Sequence, residues 1–598
     1  MLSPGLAERL DELFFGSINQ DVWGNGIPIG SETGEKRRWS TRGYMIPAGV
    51  LKTGRNVLEI RGFSGRAGLQ RPFSAGCRAG DIVMMRKEFS IDAEWRSQVP
   101  EPVFDERPEY NRLYERTWEL AHDHLLDLPG MPQTPYMDEA FCDVRIWIWD
   151  SCFMSLFCKY APNCFPGVET LNNFYLPLYG SGRLPQVIAR NAPEWTGATI
   201  GEPAEIKICI ADNPPLFAWA ELQNALMTGD REHLRELLLE KRFLQKHFEW
   251  LENLTGPAWP PAAGTPTFWR KRAGGYLWEG GASGMDNTPR GRTGPSASMP
   301  RPNNPRMFWL DAISQQALSA SCISALAGLI GEEELAAVWQ ERFEAFRGTV
   351  NRSYWCEEDG FYYDIDGEDG SFYKVVTPAS FWPVLAGIAT PEQVGRMIAF
   401  AMTPERLGGP LPLLSLARND ADFNAENGCY WRGSLWLPTA YMAVKALEKY
   451  GEFELARDCA RKILEHQYRT FAEYEPHTVW ECYAPNAPEP ARSCDENGRV
   501  VRPGFCGWSA LGPISLYLEN VIGLSEADAF ARTLNWSLPE KVKGRIGVRN
   551  YRFGDVLADL IVENGMLTAR SSRPFRLILN GTGLDIPGGE CRILLRKR

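Results

Sequence analysis

The sequence has no excess of positive charge: 64 Lys and Arg stand against 75 Asp and Glu, for a net charge of −11. Binding to a phosphate backbone rests on clustered Lys and Arg, so nucleic acid is excluded as a partner class. No stretch approaches the ~20 apolar residues that a membrane-crossing helix needs, so no membrane partner is expected. The opening run MLSPGLAERLDELFFGSINQ lacks the basic and apolar regions of a secretion signal. Histidine is scarce, with six in 598 residues, and only His122 and His124 fall close together. Two positions apart on a helix, they face different ways, so no metal ligand set is read from them. There is no G-x-S-x-G elbow, no Walker A loop and no G-x-G-x-x-G between strand and helix, which removes the commonest hydrolase, nucleotide and dinucleotide chemistries. No cofactor is expected. The 14 cysteines include no C-x-x-C pair and read as free thiols of a reducing, cytoplasmic compartment.

What the chain does have is apolar and aromatic content: 44% hydrophobic residues, 12% aromatic, with 21 Trp. That composition excludes disorder and is ample for a large core. The pattern divides the chain in three. Residues 1–105 read as strands, with VLEIRGF and DIVMMRKEF set between Gly- and Pro-rich turns. From about 106 to 525 helical periodicity takes over, beginning with YNRLYERTWELAHDHLLDL and recurring in pairs such as DAISQQALSASCISALAGLI and EEELAAVWQERFEAFRGTVNRSYW. Long loops rich in Gly, Pro and Trp separate the pairs, and loops of that length are uncommon unless they build a site. Paired helices wound into a ring, with the loops gathered at one end, would account for both features. Residues 526–598 return to short apolar runs with NG and GG turns, as in a small antiparallel β domain. The fold class expected is thus mainly α: an α/α toroid flanked by an N-terminal β-sandwich segment and a small C-terminal β domain.

Four segments carry the chemistry. WEGGASGMDNTPRGR places Asp286, Asn287 and Arg290 on a Gly-rich loop, where an Asx turn before Pro289 is the plain alternative. VWECYAP sets Glu481 beside Trp480, although a lone Glu is ordinarily a solvated surface charge. IWIWDSCF puts Asp150 after Trp149 inside an apolar run, as a helix cap, a ligand for a hydroxyl, or both. GCYWRGSLWLPTAY brings Trp431, Arg432 and Trp436 to the start of a helix, as core packing or as a platform for a sugar ring. Acidic groups beside Trp suit carbohydrate. Sugar rings pack their C–H faces on aromatics, and cleaving a glycosidic bond takes one carboxylic acid and one carboxylate.

These runs resemble a known family. SGMDNTPR is similar to the SG-DNSPR signature of glycoside hydrolase family 63 and its mannosylglycerate-hydrolase-like relatives. YWRGSLWLPTAY resembles their YWRGP-W segment, IWDSCF their WD--F element, and GFCGWSAL (with Trp508) a further segment in the same order. The resemblance spans roughly residues 108–522, and the more distant trehalases share its logic. It implies an (α/α)6 barrel and an inverting α-glycosidase, with Asp286 as general acid and Glu481 as general base. Trp149 and Asp150 would hold the sugar, joined by Asn287, Arg290, Trp431, Arg432, Trp436, Trp480 and Trp508. Two departures stand out: residues are inserted between Glu279 and the Ser-Gly pair, and Ser434 replaces the usual Pro. For the base, Glu473 and Glu475 are the neighbouring alternatives.

INQDVWGNGIPIG and RGYMIPAGVLKTGRNVLEIRGF resemble the later strands of the sugar-binding jelly roll that precedes family 2 glycosidase barrels. A reduced sandwich would expose edge strands, to be covered by the barrel or by a second copy in a homo-oligomer. The partner expected is an oligosaccharide or small glycoside. A silent glycan-binding protein on the same scaffold, and a toroid phosphorylase, lyase or glycosidase for another sugar, are the competing readings.

Overall fold

The computed structural model describes residues 94–127, 133–139, 146–175, 214–256, 269–292, 304–493, 498–541 and 543–595, with Phe89 and several strands outside these ranges. Those strands include β1 (Ile18–Gly24), β2 (Ile27–Glu32), β3 (Arg55–Ser64) and β4 (Phe73–Arg78). They form one antiparallel sheet in the order β2-β1-β3-β4, across the stretch whose sequence resembles a jelly roll. The segments between these strands lie outside the described residues.

Eleven of the helices described in the central region build its double wall. Six of them, α2 (Ile148–Cys158), α3 (Phe217–Thr228), α5 (Leu310–Leu329), α7 (Trp382–Ala386), α9 (Leu437–Lys449) and α11 (Gly512–Ile522), form a closed ring, each packed on the next and α11, with the short helix before it, packed back on α2. Their sequences explain the position. LDAISQQALSASCISALAGL and GPISLYLENVI are apolar or small nearly all round, and a helix without a polar face is stable only when covered on every side. The covering helices are α1 (Tyr110–Asp123), α4 (Phe243–Glu252), α6 (Glu333–Ser353), α8 (Pro391–Ala401) and α10 (Phe453–Glu473). In them charged residues alternate with a buried stripe, as Trp339, Phe343 and Val350 do along α6. The paired periodicity of the sequence is therefore a double ring of inner and outer helices.

The C-terminal ends of the inner helices are tied by charge. On α11, Glu519 lies 3.1 Å from Lys159, just after α2, and 2.8 Å from Lys445 on α9. Tyr441 of α9 donates to the same carboxylate at 3.0 Å. Burial works to raise Glu519, yet the two ammonium groups outweigh it and bring the carboxyl down to about 2.

The C-terminal part is two sheets. One has the order β6-β7-β11-β12, from β6 (Leu524–Asp528), β7 (Thr533–Trp536), β11 (Phe575–Leu579) and β12 (Thr582–Ile586). The other contains β8 (Ile546–Phe553), β9 (Val556–Glu563), β10 (Met566–Ser571) and β13 (Gly589–Leu594). Its edge is β5 (Glu101–Phe104), which pairs antiparallel with β8 from Ile546 opposite Phe104 to Arg549 opposite Glu101. The sequence pattern assigns residues 101–104 to the N-terminal β segment, because a strand's pairing partner 440 residues away leaves no local trace. Tertiary pairing puts them in the C-terminal sheet instead.

The cysteines also differ from expectation. Nine described cysteines are free, but Cys429 is disulfide-bonded. No helix among the described residues is long and apolar enough to cross a membrane.

One ion pair, between α3 and the short helix Arg231–Arg235, is sensitive to pH. Glu221 on α3 accepts from Tyr175 Oη at 2.8 Å and lies 2.7 Å from His233 Nε2. Burial disfavours the imidazolium, but the Glu221 carboxylate outweighs it and raises His233 to about 9. A basic group raised above its unfolded value near 6.5 stabilises fully below that value, and the contribution disappears as pH rises through 9. Wild-type protein should therefore lose up to about 3 kcal/mol between pH 6.5 and 9.5. Thermal unfolding across that range should show the loss in wild type and not in His233→Gln.

Candidate active site

The quoted motifs converge at the N-terminal ends of the inner helices. Asp150 lies in the first turn of α2, Trp436 caps α9, and Trp508 opens the short helix that runs into α11. Helix N-termini carry partial positive charge and unpaired N–H groups, so this end of the ring favours carboxylates.

The Gly-rich loop is held by several side-chain anchors around Asp286. Glu279 caps a short helix at Gly280–Ser283, its carboxylate accepting from Gly281 N at 3.0 Å and Ala282 N at 2.5 Å. Gly284 ends that helix at φ 82, and the indole of Trp149 lies flat against it. A β-carbon at 284 would come within 3.0 Å of the ring, so both conformation and space demand glycine. Asn287 spends its side chain on backbone: Nδ2 donates to Cys429 O at 3.0 Å, and Oδ1 accepts from Trp431 N at 2.7 Å. Arg290, 2% exposed, donates to Asp311 at 2.7 and 3.0 Å and to Asp364 at 2.8 and 2.6 Å, with its guanidinium over Trp309. Asp286, half-buried between these anchors, is the acidic group the loop presents to its surroundings.

This arrangement corrects part of the sequence reading. Arg290 has its donors committed to two aspartates and is a structural anchor rather than a sugar ligand. Asn287 joins two loops instead of reaching out. Arg432 donates to Asn287 O at 3.2 Å and to Asp422 at 3.4 Å, and so belongs to the same clip. The motif residues cluster in sequence because the loop needs anchors as much as it needs an acid, and residue type alone does not separate the two roles.

The turn opposite is strained. Gly428, Cys429 and Tyr430 all have positive φ, of 80, 39 and 63 degrees, a conformation that costs two non-glycine residues energy and is held by its surroundings. The disulfide at Cys429 and the Asn287 bond brace it from one side. From the other, the Trp436 indole donates to Tyr430 O at 3.0 Å. Trp431 and Trp436 stack at 4.1 Å between centroids and are each 1% exposed. They are packing that shapes the turn, and neither offers a free face to a sugar. Trp149, Trp480 and Trp508 are also buried, at 6%, 3% and 6% exposed.

The strained turn delivers Tyr430 to Glu481. Tyr430 Oη donates to Glu481 Oε1 at 2.9 Å, and the Arg502 backbone N–H donates to Oε2 at 3.3 Å. The Trp508 indole holds the Glu481 backbone carbonyl at 2.7 Å. Burial pushes the Glu481 carboxyl up, against the two hydrogen bonds and the Arg502 charge. Asp150 is pushed well up, first by burial and then by the charges of Glu481 and Asp286. Three carboxyl groups, Asp150, Asp286 and Glu481, thus lie within one another's field in a partly dry site. Glu473 and Glu475 point elsewhere, to Arg469 and His477 on the surface. Tyr430 was hidden in a quoted motif, and a Tyr between Cys and Trp carries no sign of function until the turn is folded.

The arrangement provides carboxyl groups in differing surroundings with aromatic side chains beside them. That suits a neutral polyhydroxylated ligand and acid–base chemistry upon it. A family model described as mannosylglycerate hydrolase MGH1-like glycoside hydrolase domain matches residues 145–495, more than half of the chain. An uncharacterized protein of Borreliella burgdorferi is 26% identical over 398 residues, covering 64% of this chain and 76% of its own. A periplasmic trehalase of Escherichia coli O1:K1 is 21% identical over 374 residues, 58% of this chain and 62% of the trehalase. A crystal structure of a glycoside hydrolase family 78 rhamnosidase from Bacillus sp. GL1 matches with a TM-score of 0.50 at 14% identity, over 94% of this chain and 50% of that one, a likeness of fold.

If Arg290 is an anchor, removing it strands two buried carboxylates. Arg290→Met should cost about 3–5 kcal/mol of stability, measured by urea unfolding. A residue that only contacted substrate would leave the unfolding midpoint in place.

Proposed function

The chain belongs to the MGH1-like glycoside hydrolase family, and from that premise we propose an inverting, exo-acting glycosidase for terminal α-linked sugars, with glucose the favoured unit. The observation that carries this reading is the meeting of Asp286, Glu481 and Asp150 in one buried cluster, each with a different environment. In the proposed mechanism Asp286 protonates the leaving oxygen, and Glu481 takes a proton from the water that attacks the opposite face of the sugar. Inversion needs room for that water, so the two carboxyls should stand ~6.5–9.5 Å apart. Glu481 suits the base: each of its oxygens accepts one fixed donor and keeps a lone pair for water. Asp150 suits a sugar ligand, because its buried carboxyl can accept from sugar hydroxyls, with Trp149 alongside. The likeness to trehalases supports an α-linked glucoside. The long loops between helix pairs support a closed pocket that admits a chain end.

A panel of nitrophenyl α-glycosides and α-linked disaccharides, followed by NMR of the first-formed anomer, tests the reading. Release of the β-anomer is expected. Release of the α-anomer would reject inversion, and no release from any member would favour a silent glycan-binding protein. Asp286→Asn and Glu481→Gln should each lower kcat by about 10³-fold or more. Tyr430→Phe removes a hydrogen bond that favours ionised Glu481, so the acid limb of the kcat/KM profile should move to higher pH while the alkaline limb stays.

A further inference from the structure

Glu139 is a buried carboxyl group that the proposed chemistry does not use. It ends the described stretch 133–139 and is 0% exposed. Its Oε1 accepts from Trp147 N and from Ser151 Oγ, each at 2.9 Å. Its Oε2 is buried with no hydrogen-bond partner among the described residues. Leaving a carboxyl oxygen buried and unpaired costs stability, so the residue calls for a reason beyond packing.

The two donors give one. Trp147 and Ser151 bracket Trp149 and Asp150, so one oxygen atom ties down both flanks of the segment proposed to meet the sugar. The backbone of Glu139 works in the other direction. Its carbonyl accepts from Gly507 N at 3.0 Å, and a β-carbon on Gly507 would lie 3.3 Å from it, so the two chains touch. Gly507 immediately precedes Trp508, whose indole holds the Glu481 carbonyl. A single residue therefore joins the wall that carries Asp150 to the wall that carries Glu481. The groups facing it are acidic: burial, then the charge of Asp150, then that of Asp138, push the Glu139 carboxyl well up. His124 pairs with Asp138 at 3.0 Å and leaves Glu139 to Ser151 and Trp147.

We infer that Glu139 is a positioning residue for the sugar subsite, setting Trp149 and Asp150 in register with Glu481 through Trp147 N, Ser151 Oγ and Gly507 N. The inference rests on the reading that Asp150 touches the sugar. It differs from a plain role in stability because it predicts where the effect appears.

The test compares Glu139→Gln with Glu139→Ala in the full chain. The amide oxygen of Gln keeps both donors, so E139Q should stay within about threefold of wild type in kcat/KM for nitrophenyl α-glucoside. E139A should lose about 100-fold, mostly through KM, because a shift of about 1 Å in a positioning group is enough for that. Placed on Asp150→Asn, E139A should add no more than about twofold, since both changes then act through one contact. Crystal structures decide the matter independently of activity: the residue 150 side chain should move in E139A and stay put in E139Q. An unmoved Asp150 in E139A, equal losses in the two variants, or fully additive losses on Asp150→Asn would each overturn the inference. If E139A does not fold, Ser151→Ala removes one of the two bonds and should raise KM severalfold, and an unchanged KM overturns the inference. Absence of hydrolysis in wild type would reject the proposed function and leave the crystallographic comparison to decide this one.

Discussion

The site depends on one buried charge pairing. Arg290 closes two bidentate contacts, to Asp311 in the first turn of α5 and to Asp364, whose Oδ1 also accepts from Leu310 N at 2.9 Å. The loop that carries Asp286 is thereby fastened to the mouth of an inner helix four residues after the acid itself. A guanidinium is suited to this because it stays charged and presents a rigid fork to two carboxylates at once, where an ammonium would be a single point of attachment. With Arg290 fixed, Asn287 can reach the strained turn at Cys429 and Tyr430, and that turn can hold Glu481. Asp286 and Glu481 are far apart in sequence, and the bonds from Asn287 to the turn and from Tyr430 to Glu481 connect their segments in space.

The closed ring supplies the setting. Six inner helices begin at one end of the ring, and their first turns favour negative charge where Asp150, Asp311 and the flanking carboxylates gather. At the other end Lys159, Lys445 and Glu519 neutralise one another in the interior. The two ends of the toroid thus differ: Glu519 meets two ammonium groups at one, while Asp150 at the other feels the charges of Glu481 and Asp286. Gathering like-charged carboxyls in a partly buried site costs a fold stability, and the double ring of helices around it offsets that cost through apolar burial.

Much of this was legible in the residues. The double periodicity of apolar and amphipathic helices reads as paired helices because covering an all-apolar helix requires an amphipathic neighbour. Acidic residues beside Trp in irregular Gly-rich loops read as sugar chemistry, and the family resemblance of SGMDNTPR and YWRGSLWLPTAY agrees with the family to which the chain belongs. Residues whose work is done across the ring stayed hidden. Arg290 and Arg432 look like sugar ligands until their aspartate partners at 311, 364 and 422 come into contact. Glu139 and Tyr430 look ordinary until folding brings Ser151 and Glu481 to them.

The sequence by itself determined the class of architecture and the family, because helical period and short motifs are local properties written within a few turns of chain. The division of labour inside each motif was decided only by tertiary structure. Whether a charged side chain binds substrate or anchors a loop depends on which opposite charges reach it from distant segments. Whether a strand such as β5 belongs to one sheet or another depends on which edge is vacant when the chain closes.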